Sequence, residues 1–156
     1  MSTEVTKMKK SIERKKVAFI DVAIKAKYIF DKEGIPLTFE GYKDVICQYL
    51  QCNENDFETL FTLIRDVNLW IKYMGEIESL TLNLQLKYSN MISYLKAFNL
   101  TPEVQIKLEN IILDFNNIKT MYKHLKIQRK MFERIHYHCS NMYKEALEQL
   151  LYREIY

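Results

Sequence analysis

The chain has 156 residues, of which 48% are hydrophobic and 28% are charged, a balance that suits one ordinary soluble domain with a sizeable core. Only three glycines and two prolines are present, so few positions can interrupt a helix and the sequence predicts an all-α fold. The first residues lack the apolar run of a signal peptide, and no segment has about 18 uninterrupted apolar residues. We therefore expect a cytoplasmic protein that makes no membrane contact.

The distribution of charge and the number of cysteines further limit the kinds of protein that fit this sequence. Residues 1–32 hold nine basic and four acidic side chains, so this segment carries +5 of a total net charge of +3 and the rest of the chain carries −2. Three cysteines without paired spacing argue against a disulfide framework and for a reducing compartment. Heavy use of Lys, Ile, Asn and Tyr fits the A/T-rich genome of a bacteriophage or of a low-GC bacterium, so the cytoplasm would be that of a bacterial host if the chain is viral.

The N-terminal third predicts two helices. Apolar residues share one face over residues 3–33, and Gly34 stands where a C-terminal cap belongs. After Pro36, which prevents helix continuation, a short helix is expected over residues 38–51, with Thr38 accepting a hydrogen bond from a free amide of its first turn. We assign residues 1–54 to a basic N-terminal helical unit.

Residues 55–156 predict a long helical hairpin that serves for oligomerisation. Asn55 and Glu58 have the spacing of a capping box, and Gly75 alone need not break the helix that follows. Apolar residues then recur every three or four positions for about ten turns. These are Leu60, Ile64, Val67, Ile71, Met74, Ile77, Leu80, Leu84, Tyr88, Met91, Leu95 and Phe98.

The stretch LKAFNLTPEVQIKL, residues 95–108, predicts the corner of this hairpin. Asn99 is tolerated in the left-handed conformation that ends helices, Thr101 is a good N-cap, and Pro102 suits the first helical position. The next helix shows coiled-coil-like heptads with two apolar seams. The first seam holds Leu108, Phe115, Tyr122, Arg129, His136, Tyr143 and Leu150, and the second holds Ile111, Ile118, Leu125, Phe132, Cys139 and Ala146.

Helices of roughly 40 and 50 residues would be about 60 and 75 Å long. A compact chain of this size has a radius of gyration of about 15 Å, so this hairpin is too long for a compact globule. Two helices alone leave much of their apolar faces exposed, and the N-terminal unit can cover only part of them. We therefore expect self-association as a homo-oligomer or incorporation in a larger protein assembly. The alternative is a break at Gly75 or at Asn116 and Asn117 that closes the chain into a bundle of five or six helices.

Basic residues form the main candidate site. Five of them lie on one face of the last helix, at a spacing that can follow a polyanionic backbone and gain affinity by releasing counterions. With basic residues of the first helix they predict nucleic-acid binding, and the alternative is a solvated outer face. The candidates are Lys9, Lys10, Arg14, Lys15 and Lys16 in the first helix, and Lys119, Lys123, Lys126, Lys130 and Arg134 in the last.

Other chemistry finds little support. Glu133 and His136 have the spacing of half a di-iron motif but lack a second copy, so we expect no metal and no cofactor.

The segment RKMFERIH, with Arg129 and His136 on one face, resembles the Arg-x(4 to 6)-His motif of the HEPN family of all-α ribonucleases. That resemblance implies a dimer in which His acts as acid and base and Arg stabilises charge on phosphate. The other interpretation is two polar interruptions of a seam that set helix register.

The segment LNLQLKYSNMISYLKAFNLTPEVQIKL, residues 82–108, is similar to a region of some phage terminase small subunits, in which a helix ends in a short corner before another helix. The resemblance implies a ring-forming, non-catalytic protein that recognises viral DNA and regulates a separate packaging ATPase. Our hypothesis is a non-enzymatic, self-associating helical protein that binds nucleic acid, and its more specific form is the DNA-recognition subunit of a phage packaging machine. The alternatives are a structural or adaptor protein in a large assembly and a HEPN-like ribonuclease.

Overall fold

The computed structural model of the chain describes residues 3–53, 56–98 and 100–155, and within these ranges it contains helices and no strands. The all-α prediction is confirmed. Asn55 and Asn99, to which we assigned capping roles, lie outside the described residues. In chain order the helices are α1 (Thr3–Lys32), α2 (Tyr42–Gln51), α3 (Phe57–Lys96) and α4 (Pro102–Ile155).

Helices α3 and α4 form a long antiparallel hairpin of 40 and 54 residues. At 1.5 Å per residue they are about 60 and 80 Å long. The ring of Phe57 at the start of α3 stacks on Tyr143 near the end of α4, at a centroid distance of 4.6 Å. Both helices are continuous, so the predicted alternative of a break at Gly75 or at Asn116 and Asn117 is wrong. No helix in the described ranges is both long enough and apolar enough to cross a bilayer.

Helix α1 lies antiparallel along α4, and this packing decides which residues meet at the candidate site. Near the middle of α1, the carbonyl of Lys15 accepts a hydrogen bond from Gln128 Nε2 at 3.1 Å. Near its end, the hydroxyl of Tyr28 donates to the carboxylate of Asp114. Helix α2 packs against both α3 and α1.

Aromatic side chains join all four helices in the core. Tyr42 of α2 lies at its centre, with its ring centroid 5.3 Å from Phe19 of α1, 5.9 Å from Trp70 of α3 and 5.8 Å from Phe132 of α4. Edge-on and tilted ring pairs of this kind stabilise beyond the burial of their area, by about 0.5–1.5 kcal/mol each. With the exception of Leu108, the buried hydrophobic side chains of the four helices form one continuous cluster.

The buried face of α4 is wider than a two-helix coiled coil requires. The prediction for the second seam is confirmed, because five of its six residues are buried and Ala146 is half-buried. The first seam is buried only at Leu108, and Leu150 is exposed. Because α1 packs on another side of α4, a different row is buried there. That row consists of Met121, Gln128, Met131, Ile135 and Met142.

The connection between α1 and α2 departs from the prediction at one end. Gly34 ends α1 with a φ of 74°, as expected. Helix α2, however, begins at Tyr42, and its N-cap is Gly41 with a φ of 85°, which an L side chain rarely adopts. Thr38 is therefore not the N-cap; its backbone amide donates to the hydroxyl of Tyr73 on α3 at 2.9 Å. The intervening segment is a loop held against the hairpin.

Both long helices have side-chain caps at their starts. Asp56 caps α3, and its Oδ1 accepts a hydrogen bond from the amide of Thr59 at 3.2 Å. The Thr59 hydroxyl also donates to this carboxylate and is the main reason that the pKa of Asp56 is lowered. The hydrogen bond from the Thr59 amide lowers the pKa further. The predicted cap of α4 is confirmed, since Thr101 Oγ1 accepts from the amide of Val104 at 3.3 Å.

The tip of the hairpin extends past the end of α1. Glu33 follows α1 and accepts hydrogen bonds from Lys87 Nζ at 2.6 Å and from the Tyr88 hydroxyl at 2.9 Å, so α1 ends at this level of α3. The pKa of Glu33 is lowered, mainly because Lys87 donates to it. On α4 the corresponding level is Asp114, twelve residues from the start of the helix. Beyond this level α4 therefore continues for about 18 Å and α3 for about 12 Å without cover from α1.

Candidate nucleic-acid interface

The basic residues of α4 lie on its outer face, as their spacing predicts. Four of the five are exposed, and Lys126 is half-buried. The ammonium of Lys126 lies 4.5 Å from the ring centroid of Tyr122, and that of Lys119 lies 5.3 Å from the ring centroid of Phe115. These contacts position two of the cations on the surface of the helix without neutralising them.

The structure brings part of the basic set of α1 next to this row. Arg14 and Lys15 of α1 and Lys130 of α4 line one groove of about 410 Å³, whose floor includes Ala18 and Ile127. The two sets of candidates were predicted separately, and the antiparallel packing of α1 on α4 brings Arg14 and Lys15 of the first set next to Lys130 of the second. We call the combined surface the basic band; it comprises Lys10, Arg14, Lys15, Lys119, Lys123, Lys126, Lys130 and Arg134.

Several cations of the basic band have no carboxylate partner. Within residues 3–53, 56–98 and 100–155, no ion pair involves Lys10, Arg14, Lys15, Lys130 or Arg134. A carboxylate that already neutralised them would have to be displaced before an anionic ligand could bind. Their full charge is therefore directed at solvent.

Two of the predicted residues of α1 lie apart from the basic band. Lys9 Nζ donates to the carbonyl of Leu50 at 3.2 Å, where the last turn of α2 leaves carbonyls unsatisfied. Lys16 Nζ lies 2.6 Å from the carboxylate of Glu13 one turn away. Lys9 thus stabilises the end of α2, and the charge of Lys16 is balanced locally.

One further titratable group lines the groove but adds no charge to it at neutral pH. Burial, and to a smaller extent the charge of Lys123, lowers the pKa of His124 from its ordinary value. The imidazole is therefore neutral at pH 7. The positive charge of this groove comes from Arg14, Lys15 and Lys130.

A second groove, of about 680 Å³, opens beside the first and shares Lys130 with it. Its wall on the α1 side is Met8, and Arg134 lies on the α4 side. His138 forms part of the lining, and its Nδ1 is 2.7 Å from the hydroxyl of Tyr49 on α2. This hydrogen bond fixes the orientation of the imidazole in the lining of the groove.

The same face of α4 continues beyond the predicted residues. Tyr137 and Asn141 lie 18 and 22 positions after Lys119, which is the spacing of the row itself, and both line the second groove. Sequence reasoning missed them because it followed charge alone. The helical spacing was sufficient to find them.

Arg129, the arginine of the ribonuclease alternative, forms ion pairs with carboxylates, unlike the cations of the basic band. Arg129 Nε lies 2.7 Å from Glu78 Oε2, and Nη1 lies 2.9 Å from Glu133 Oε1. The hydrogen bond with Glu78 is the main reason that the pKa of Arg129 is raised. Its guanidinium is held by two carboxylates, one of them on α3, which favours the interpretation of Arg129 as a residue that sets the register of the hairpin.

The cysteines and acidic residues show no metal-binding arrangement in the described part of the chain, where no three His, Cys, Asp or Glu side chains are grouped to hold an ion. Cys139 is buried in the core, and burial raises the pKa of its thiol to about 12. Its thiol is therefore protonated at neutral pH and packs as an apolar group.

No protein-family model matches the chain, and neither do any of the curated proteins or solved structures.

Proposed function

We propose that the protein is a non-enzymatic, self-associating helical protein that binds nucleic acid through the basic band. The observation that carries this proposal is the groove in which Arg14 and Lys15 of α1 lie next to Lys130 of α4. Charged residues far apart in sequence meet there, and no carboxylate among the described residues forms an ion pair with them. Recognition of viral DNA in a packaging machine is the more specific form of this proposal, and it rests on the terminase resemblance of residues 82–108.

The dimensions of the basic band suit a polyanionic backbone. From Lys119 to Arg134 the row on α4 extends for about 22 Å. Duplex DNA presents one phosphate charge per about 1.7 Å of its axis, so several phosphates lie within reach of the row at once. Each phosphate that is neutralised releases counterions, and the affinity then falls steeply as salt is added.

A binding assay with a matched control tests the proposal. We expect a fluorescein-labelled 20-base-pair duplex to bind at about 50 mM salt and to bind far more weakly at about 200 mM. The triple variant Arg14→Gln, Lys15→Gln, Lys130→Gln should weaken binding at least about tenfold and reduce the slope of log affinity against log salt by roughly three. Fluorescence anisotropy measures both quantities.

The control removes three positive charges elsewhere. Lys43 on α2 and Lys72 and Lys96 on α3 are exposed and lie outside the basic band. Their replacement by Gln should change affinity by less than about twofold, apart from the small effect of net charge. Absence of binding at low salt, or equal losses in the two triple variants, would contradict the proposal.

Self-association is supported by apolar side chains at the tip of the hairpin. Ile106 and Leu113 lie two turns apart on one face of α4 and are 60% and 59% exposed. On α3, the exposed rings of Tyr94 and Phe98 pack against each other with centroids 4.9 Å apart. Burial of one such side chain contributes about 1.5–3 kcal/mol, so pairing of two tips would stabilise an oligomer.

Light scattering after size exclusion tests self-association. We expect a mass that is a multiple of the 18.8 kDa of one chain. The variant Ile106→Asp, Leu113→Asp should shift the mass toward that of one chain, since a charge buried in the contact would be uncompensated. The surface variant Lys107→Asp provides the control, because Lys107 is exposed on the same helix. A single-chain mass for the unaltered protein would remove this part of the proposal.

The exposed tip also favours the second candidate function, that of an adaptor in a larger assembly of other proteins. The two functions differ in the role of the basic band. If the protein is an adaptor, we expect no measurable binding of nucleic acid at low salt. We also expect its exposed apolar faces to be covered only by a different protein.

A further inference from the structure

Tyr137 stands out among the exposed side chains. It is 71% exposed, the highest value among the large apolar side chains of the described residues. Its ring makes no contact with another aromatic ring in that part of the chain, whereas the ring of Tyr122, about four turns earlier on α4, lies 4.5 Å from the ammonium of Lys126. The packing of α4 therefore does not explain why an aromatic residue occupies this position.

The neighbours of Tyr137 are polar or positively charged. Arg134 lies three residues before it, Lys130 seven before it and Asn141 four after it, so all four side chains share one face of α4 and border the second groove. Glu133 also lines this groove, and its carboxylate shares the single positive charge of Arg129 with Glu78, so it offsets part, but not all, of the charge of Lys130 and Arg134. The groove thus combines an open aromatic ring, two cations without ion-pair partners and an amide.

We propose that this second groove binds a single-stranded nucleic acid, with one base stacked on Tyr137 and the flanking phosphates on Lys130 and Arg134. Proteins that hold single strands use aromatic rings as stacking platforms within positively charged grooves. In a duplex the faces of the bases are covered by their neighbours, so an aromatic ring cannot stack on them unless a base is first extruded. This inference rests on the proposed function and names the class of nucleic acid.

Two further side chains line the groove and are held in place by α2. Met8 of α1 supplies an apolar surface, and the Tyr49 hydroxyl lies 3.8 Å from its sulfur and 2.7 Å from Nδ1 of His138. Asn141 carries both a donor and an acceptor that can reach the edge of a base. Lys130 borders both grooves, so the backbone of a strand seated on Tyr137 would continue toward Arg14 and Lys15.

The test compares two ligands and three variants of the full chain. The ligands are a labelled dT15 oligonucleotide and a duplex of 15 base pairs, and the variants are Tyr137→Ala, Tyr137→Phe and Phe61→Ala. Phe61 is an exposed ring on α3 that packs against Tyr143 and serves as the control. Circular dichroism checks that each variant retains its helical content.

We expect the single strand to bind at least about tenfold more tightly than the duplex at equal salt. Tyr137→Ala should weaken single-strand binding about tenfold and leave duplex binding within about twofold, while Tyr137→Phe and Phe61→Ala should keep both affinities. Equal affinity for the two ligands, or equal losses on both in Tyr137→Ala, would overturn the inference and leave the proposed function intact. Failure of both ligands to bind at low salt would overturn the two together.

Discussion

Replacement of Phe132 by alanine is expected to lower the free energy of unfolding by about 3–5 kcal/mol. The side chain is fully buried, and its ring packs at 5.8 Å against Tyr42 of α2 and at 6.2 Å against Trp70 of α3. The substitution therefore removes apolar contacts from three helices at once and leaves a cavity at their meeting point. Urea denaturation followed by circular dichroism measures the loss.

Two further observations make this prediction specific. Trp70 is the one tryptophan of the chain, so its fluorescence reports directly on the packing around Phe132. The control is Leu86→Ala on α3, which should cost less than about 1 kcal/mol because this side chain is 58% exposed and lies outside the tip. A loss below about 1 kcal/mol in Phe132→Ala would show that α2, α3 and α4 do not meet at Phe132 as the structure places them.

Replacement of Gln128 by leucine is expected to cost about 2–3 kcal/mol, although the new side chain is apolar and similar in size. Gln128 is fully buried; its Oε1 accepts a hydrogen bond from the hydroxyl of Tyr42, and its Nε2 donates to the carbonyl of Lys15 at 3.1 Å. Burial raises the pKa of Tyr42, so the hydroxyl remains a donor at all ordinary pH values. In the variant this donor would be buried without an acceptor.

A double-mutant cycle separates this effect from a general loss of packing. Tyr42→Phe alone should cost about 1–2 kcal/mol, because it leaves the Gln128 oxygen without its donor. The combination of Tyr42→Phe and Gln128→Leu should be no less stable than Gln128→Leu alone, since both members of the bond are then apolar. Strict additivity of the two losses would contradict the hydrogen bond, and Gln149→Leu on the exposed end of α4 serves as the neutral control.

Much of the fold follows from local rules that act within a few residues. The cap at Thr101 and the left-handed Gly34 were predictable because each depends on the residue type and its immediate neighbours. The start of α2 was not, because residues 35–41 are held by contacts from elsewhere, such as the bond from the amide of Thr38 to Tyr73. A tertiary contact there overrides the capping preference of a threonine.

The seams of α4 show the same distinction. A heptad pattern describes a helix that has one partner, and it correctly predicted the row from Ile111 to Cys139 that faces the interior. It could not predict that Gln128 is buried as well, because that position faces α1 and becomes interior only when α1 packs on α4. Gln128 is polar and lies outside both seams, so nothing in the sequence indicated that it is buried.

The candidate site was predictable residue by residue but not as an assembly. The spacing of the cations on α4 placed them on one face without any structure. Which cations of α1 would join them depends on the rotation and register of α1 against α4, and a basic helix with charges on several sides does not specify either. Arg14 and Lys15 face α4, whereas Lys9 reaches the end of α2 instead.

The antiparallel packing of α1 on α4 has a consequence for the order in which the chain can fold. The contact between Lys15 and Gln128 spans 113 positions of sequence, whereas α3 and α4 are joined by a connection of a few residues. Closing the short loop costs far less entropy, so the hairpin can form first and α1 docks afterwards. During synthesis the apolar face of α1 then waits without its partner until α4 has left the ribosome, and for that interval the nascent chain depends on its charge, or on a chaperone, to remain unaggregated.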